Sequence, residues 1–219
     1  MAYKALIFDL DGTLLDTLAD IGNAMNRTLA KEGFPIHPLE AYRYFVGDGV
    51  TMLVTRALPP ESRNPATIQR CLQIFRADFN QNWNIQTRPY PGIPEMLDAL
   101  VKRGVKMAIL TNKPYDFTQL CVAEFLSPWK FEMVIGERAD LPKKPDPTGA
   151  LEIARRFQLP PSEILYLGDT AVDMQTARAA HIVPVGVLWG FRPREELQAS
   201  GAQVLLNQPL EILSLLEEY

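Results

Sequence analysis

Four short segments carry side chains able to do chemistry. The first, Asp9-Leu10-Asp11-Gly12-Thr13, sets two carboxylates two residues apart directly after the apolar run Ala5-Leu6-Ile7-Phe8. Ionised carboxylates beside a buried strand cost several kcal/mol unless paired. Two of them about 4 Å apart repel by roughly 4 kcal/mol at an effective dielectric near 20. Something cationic must therefore sit at this strand end; the structural alternative is a surface Asp-Gly turn closing a hairpin. The second segment, Thr111-Asn112, precedes Pro114 and fits the first turn of a helix. A hydroxyl, an amide and unpaired N–H groups there can cradle a phosphate or simply cap the helix. The third, Lys143-Lys144-Pro145-Asp146-Pro147, offers cations in a loop, where lysines are ordinarily solvated. The fourth, Gly168-Asp169-Thr170-Ala171-Val172-Asp173, places two acids four residues apart at a helix start. They can face the same strand ends as Asp9 and Asp11, or merely suit the helix dipole. Four carboxylates on one rim are most economically balanced by a divalent ion. Hard oxygen ligands favour Mg2+, and the absence of a Cys or His cluster disfavours zinc.

These segments need elements to hold them. Ala5–Phe8 reads as a strand buried on both faces. From Asp16 to about Gln86 the texture is helical. Leu18, Ile21, Met25 and Leu29 fall at helical spacing before Gly33. A second helix runs from Pro38 through Tyr42 and Phe45 to Gly47-Asp48-Gly49, and a third covers Thr51–Leu58. Pro65 opens a fourth, with Ile68, Cys71, Leu72, Phe75 and Phe79 on its apolar side. From Pro91 onward helices and strands alternate: strands at Val105–Leu110, Phe131–Ile135, Ile164–Leu167, Val183–Val187 and Ala202–Leu205, and a closing helix from Pro209. Such alternation implies an α/β fold with a doubly wound, Rossmann-like parallel sheet built from residues 1–15 and 88–219. Residues 16–87 form an inserted four-helix domain. In such sheets ligands bind beyond the carboxyl ends of the strands, at a switch point in strand order, where all four segments fall.

Composition narrows the classes. A chain of 219 residues with 47% hydrophobic content suits one large domain, or a core with a smaller insert. The net charge of −4 gives no electrostatic case for nucleic acid or an anionic membrane. Cys71 and Cys121 stand in no metal or redox spacing and read as core fillers. No apolar stretch approaches the roughly 18 residues that span a bilayer. The chain enters a strand within a few residues, leaving no room for a signal peptide. The expectation is a soluble cytoplasmic protein, monomer or homodimer.

Asp9-Leu-Asp11-Gly-Thr13 resembles the opening motif of the haloacid dehalogenase-like phosphohydrolases. Thr111, Lys144-Pro145-Asp146-Pro147 and Gly168-Asp169 through Asp173 are similar to the later motifs of that family, in family order. The resemblance covers Ala5 to Asp173, and the helical insert looks like the family's cap. It implies Asp9 as nucleophile and metal ligand. Asp11 would be the general acid/base, its backbone carbonyl also on the metal. Thr111, Asn112 and Lys144 would hold phosphate, Asp169 would bind Mg2+, and Asp173 and Thr13 would support the site. The chemistry is sound: a carboxylate can be phosphorylated and then hydrolysed, splitting one displacement into two, while a second acid shuttles the proton. The substrate implied is a small phosphorylated metabolite. Val46-Gly47-Asp48-Gly49 and Trp189-Gly190-Phe191 are similar to stretches of phosphoglycolate phosphatase-like members, with Phe191 in place of tyrosine. Cap residues Arg43, Gly47, Asp48 and Gly49 are the candidates for specificity.

Several rivals share part of this pattern. A phosphomutase of the β-phosphoglucomutase type has the same core motifs, and pyrophosphatases belong to the same superfamily. A phosphonate hydrolase needs an imine-forming cap lysine, for which Lys31 is the one candidate between Asp11 and Lys102. A nucleotide-binding module is poorly supported, since Gly47-x-Gly49 lacks a third glycine and follows no strand. Ser–His–Asp hydrolysis is as weak, with two histidines (His37 and His181) and no nucleophile elbow.

Overall fold

Ala5, Leu6, Ile7 and Phe8 are each completely buried, so strand β1 (Ala5–Phe8) is covered on both faces. The computed structural model describes residues 3–216 and divides into two units, one running to Leu15 and resuming at Pro89, the other Asp16–Arg88. Two-residue strands β2 (Leu15–Asp16) and β3 (Arg88–Pro89) pair separately from the main sheet.

The Asp16–Arg88 unit is helical: α1 (Leu18–Lys31), α2 (Tyr42–Phe45), α3 (Val50–Ala57) and α4 (Pro65–Asn82). Its core gathers Met25, Leu29, Tyr42, Leu53, Val54, Phe75 and Phe79. Two polar devices organise it. Asn26 exchanges hydrogen bonds with the His37 backbone at 2.8 and 3.0 Å and accepts one from the Tyr42 hydroxyl at 2.6 Å, fixing the segment that leaves α1. Buried Asp20 accepts the Gln86 and Thr87 N–H groups and the Thr87 hydroxyl, tying the start of α1 to the returning chain.

The other unit continues with α5 (Ile93–Lys102), β4 (Lys106–Pro114), α6 (Tyr115–Phe125), β5 (Met133–Glu137), α7 (Thr148–Phe157), β6 (Ile164–Gly168), α8 (Ala171–Ala179), β7 (Val183–Val187), α9 (Arg194–Ala199) and β8 (Val204–Leu206). The six long strands form one parallel sheet in the order β5-β4-β1-β6-β7-β8. Alternate strand residues face alternate sides. Ala5, Ile7, Ala108, Leu110, Ile164 and Tyr166 share one side with Ala150, Ile153, Ala154 and Phe157 of α7. Leu6, Phe8, Met107, Ile109, Leu165 and Leu167 are as thoroughly buried on the other. The fold is therefore the doubly wound parallel sheet expected of the sequence. After β1 the chain builds β4 and β5 on one side, then crosses to β6, β7 and β8 on the other. The switch point thus lies beside β1.

The strands β2 and β3 and the helix α9 are additions to the sequence reading, and the helix expected from Pro38 splits into a 3-10 turn, Leu39–Ala41, and α2. Two further elements change type. Thr111-Asn112-Lys113 do not open a helix: they extend β4 to Pro114, which is the N-cap of α6. Proline pushes the residue before it out of the helical region, and pairing of Pro114 with Glu137 on β5 holds the segment extended. The segment from Pro209 winds as a 3-10 helix, Pro209–Leu215, rather than an α-helix. Ser214 suits that tighter pitch by donating to the Glu211 carbonyl three residues back at 2.8 Å.

Candidate active site

Register brings the acids together. Phe8 is level with Ile109 of β4 and with Leu167 of β6. Asp9 therefore emerges one residue beyond the paired strand, and Asp169 emerges next to it after Gly168. The Asp9 N–H still donates to the Leu167 carbonyl at 2.9 Å, which holds the two strand ends in step. The turn after Asp9 is closed by N–H groups of Thr13, Leu14 and Leu15 on the Leu10 carbonyl. Gly12 sits in it at φ +85°, where a Cβ would stand 2.3 Å from an Asp169 oxygen. Only glycine allows the turn to pass this close to the second strand end.

Carboxylate oxygens of Asp9, Asp169 and Asp173 lie within 4.8 Å of one another, all three residues buried. Lys144, delivered by the loop after β5, bridges them: its Nζ is 2.6 Å from Asp173 Oδ1 and 3.0 Å from Asp9 Oδ1. Its neighbour Lys143 turns away to Glu137 at 2.7 Å. Asp173 Oδ2 accepts the Thr170 N–H at 3.0 Å and its hydroxyl at 2.7 Å, closing a capping box at the start of α8. Asp169 accepts the Thr13 hydroxyl at 3.1 Å and the Phe191 N–H at 2.9 Å.

Burial dominates the electrostatics. It pushes the Asp9 carboxyl up to about 7, against the pull of the Lys144 ammonium, with Asp173 adding to the rise. Burial likewise raises Asp169 well above the usual carboxylate range, reinforced by Asp173 and Asp9. The Lys144 ammonium would lose from burial, but Asp173 and Asp9 outweigh that and hold it firmly charged. Three carboxylates facing one ammonium leave uncompensated negative charge. Asp9 Oδ1 is buried and, though at ion-pair distance from Lys144, accepts no well-aligned hydrogen bond. An oxygen-only donor set with excess negative charge fits a hard divalent cation.

The remaining sequence candidates fall in different places. The Asp11 carboxylate is not part of the acidic cluster: it faces Lys113, whose Nζ is 3.0 and 3.2 Å from its two oxygens. The expectation of four converging carboxylates is corrected to three, because a buried cation attracts Asp11 away from like charge. Thr111 is buried at the end of β4, its hydroxyl accepting the Lys113 N–H at 3.3 Å. Asn112 engages the backbone of Lys144 from both ends of its amide, accepting the N–H at 2.9 Å and donating to the carbonyl at 3.1 Å. Arg43 is exposed on α2, and Gly47-Asp48-Gly49 connects α2 to α3. There Asp48 pairs with Arg56 at 2.5 Å, and Arg56 also donates to the Phe45 carbonyl at 3.2 Å.

Three contributors were not assigned from sequence. Lys113, between Asn112 and Pro114, carries no sequence signal of its pairing with Asp11. Tyr166, fully buried in β6, donates to the Leu110 carbonyl at 3.1 Å, and its ring centroid lies 5.8 Å from Lys144 Nζ. One polar tip in the run Ile164–Leu167 was the available signal. Trp189-Gly190-Phe191 has only a similarity, and no task, in the sequence. The structure shows one: the Trp189 indole N–H holds the Thr13 carbonyl at 2.9 Å, while the Phe191 N–H holds Asp169.

A parallel α/β sheet whose switch point carries buried, lysine-bridged carboxylates defines a Rossmann-like protein with a charged site at its strand ends. The sequence profile of haloacid dehalogenase-like hydrolases matches residues 6–187, and the chain belongs to that family. It is 36% identical over 192 residues to a phosphoglycolate phosphatase of Pseudomonas syringae pv. syringae, covering 86% of this chain and 70% of the relative. It is 32% identical to the phosphoglycolate phosphatase of Nitrosospira multiformis, covering 98% and 96%. A crystal structure from Lactobacillus delbrueckii subsp. bulgaricus superimposes over the full length of both chains with a TM-score of 0.93 at 32% identity.

Proposed function

We propose that this hydrolase is a Mg2+-dependent phosphatase that cleaves a small phosphomonoester, phosphoglycolate or a close analogue, through a phosphorylated Asp9. The observation that carries the reading is the bridge from Lys144 to both Asp9 and Asp173 beside Asp169. A nucleophilic carboxylate, a fixed cation and spare acidic ligands stand together at one strand end. The names of the relatives support the substrate class.

Asp9 attacks phosphorus in line with the ester oxygen, whose electron pair takes a proton from Asp11 as the bond breaks. Water then attacks the phosphorus of the acyl phosphate and gives its proton to Asp11, and Asp9 leaves as carboxylate. Lys144 neutralises charge on the phosphoryl group throughout. Thr111 faces the phosphate, and Asn112 serves it through Lys144, whose backbone it fixes. Asp9, the Asp11 carbonyl and Asp169 would hold the cation, which supplies charge neutralisation at the transferring group. Thr13 and Asp173 steady those ligands. The helical unit is the family's cap in this reading, Arg43 and Gly47-Asp48-Gly49 are its candidates for substrate specificity, and Arg56 stiffens that segment. No helix among the described residues is long and apolar enough to cross a membrane, and we place the enzyme in the cytoplasm.

The test is phosphate release from 2-phosphoglycolate, with and without Mg2+, by the native chain and by Asp9→Asn. The amide is nearly isosteric and a poor nucleophile, so turnover is expected to vanish while the fold persists. Quenched native enzyme should retain a hydroxylamine-labile phosphoryl group. Undiminished phosphate release by Asp9→Asn rejects the mechanism.

A further inference from the structure

Lys113 is a buried lysine that the phosphatase reading above leaves without a task. Its side chain is 4% exposed and its Nζ lies 3.0 and 3.2 Å from the two oxygens of Asp11, itself 12% exposed. Such a group is costly to bury unless it is paired, so its place at the end of β4 calls for a reason. The backbone supplies the geometry. Lys113 lies two residues beyond Thr111, in the irregular stretch of β4 between Leu110 and Pro114, which are level with Ile135 and Glu137 of β5. Its ammonium meets the Asp11 carboxylate, while Asn112 turns to the Lys144 backbone. The backbone of the Asp11 turn is fixed by hydrogen bonds to the Leu10 carbonyl and by the Trp189 indole on Thr13. None of these touches the Asp11 carboxyl, whose two side-chain torsions are set where it meets Lys113.

We propose that Lys113 is the positioning residue for the proton carrier: it fixes the Asp11 carboxyl where the ester oxygen departs. This rests on the reading of Asp11 as general acid/base. An ammonium can donate to a carboxylate and also to the carbonyl oxygen of a carboxylic acid. The same anchor therefore serves Asp11 before and after each proton transfer. Lys113 stays charged and exchanges no proton with substrate.

Leaving-group dependence separates this role from a structural one. kcat/KM reports steps only as far as leaving-group departure. An alkoxide needs a proton at that point, whereas p-nitrophenolate leaves as a stable anion. With Mg2+ present, Lys113→Met is expected to lower kcat/KM for 2-phosphoglycolate by about 100-fold, the range of general acid catalysis. For p-nitrophenyl phosphate the loss should stay within about threefold of native, far below that range. Lys113→Arg should recover most of the loss. Adding Lys113→Met to Asp11→Asn should cost nothing more, since effects of residues acting as a unit do not add. Should Lys113→Met fail to fold, Lys113→Gln, which keeps one donor, carries the same comparison.

Equal losses on both esters, or a full additional loss in the double variant, overturn the proposal. If Asp11→Asn itself treats the two esters alike, the reading of Asp11 as proton carrier falls, and this inference with it. If Asp11→Asn discriminates and Lys113→Met does not, the assignment of Lys113 alone is wrong.

Discussion

Asn112 and Gly190 show how the acidic site depends on residues that carry no charge. Asn112 satisfies both the N–H and the carbonyl of Lys144. Asn112→Ala leaves two buried backbone groups without that partner, at about 1–3 kcal/mol each. It also frees the loop that delivers the Lys144 ammonium. A misplacement of about 1 Å at a reacting group can cost about 100-fold, so kcat/KM should fall by about that factor while circular dichroism is unchanged. Gly190 passes so close to the acids that a Cβ there would meet Asp169 Cβ at 2.2 Å and the Gly12 carbonyl at 2.5 Å. Gly190→Ala should therefore shift Asp169 and weaken cation binding by about 10-fold, in line with other groups that orient metal ligands. Titration of the variant with Mn2+ by electron paramagnetic resonance reads this without turnover. Unchanged affinity would show that the Trp189–Phe191 segment braces nothing. Trp189-Gly190-Phe191 is visible in the sequence as a pattern, but its target is not, since Trp189 and Thr13 lie 176 residues apart.

Elements place these residues by short-range rules. The apolar run of β1 ends at Asp9 because the next side chain is charged, and β6 ends at Asp169 in the same way. Helix starts are as local: Asn64 caps α4 by accepting the Thr67 N–H at 3.0 Å, with Pro65 behind it. Asn64→Ala should lower stability by about 1 kcal/mol. For a chain of this size that is roughly 2–4 °C in Tm by differential scanning calorimetry. A change below experimental error would mean the cap contributes nothing to the cooperative unit. The error over Thr111–Lys113 also belongs to this scale. Pro114 was read as the first turn of a helix, whereas its effect on the preceding residue keeps the chain extended and prolongs β4. Both rules operate at an X-Pro step, and only pairing of Pro114 with Glu137 on β5 decided between them.

For the molecule as a whole, the buried carboxyls of Asp9 and Asp169 make stability depend on pH and on cations. Asp9, pushed up to about 7, and Asp169, also raised well above the usual carboxylate range, bind protons in the folded state at pH values where the unfolded chain has released them. Stability of the metal-free protein should therefore fall as pH rises from about 4 to about 7. A cation that takes the place of those protons reverses the trend. The gain in Tm on adding Mg2+ in place of EDTA should grow across this window, read by differential scanning calorimetry. A gain independent of pH would mean the acids titrate normally and the cation binds elsewhere. The sequence alone determined the alternation of strand and helix and the position of each charged strand end, because apolar periodicity and proline or glycine punctuation act over a few residues. Only the tertiary structure decided the partners: Lys113 for Asp11, Asn112 for the Lys144 backbone, Thr13 and Phe191 for Asp169. Thr13 and Asp169 are 156 residues apart, and an ionised group carries no local mark of which opposite charge strand order will bring beside it.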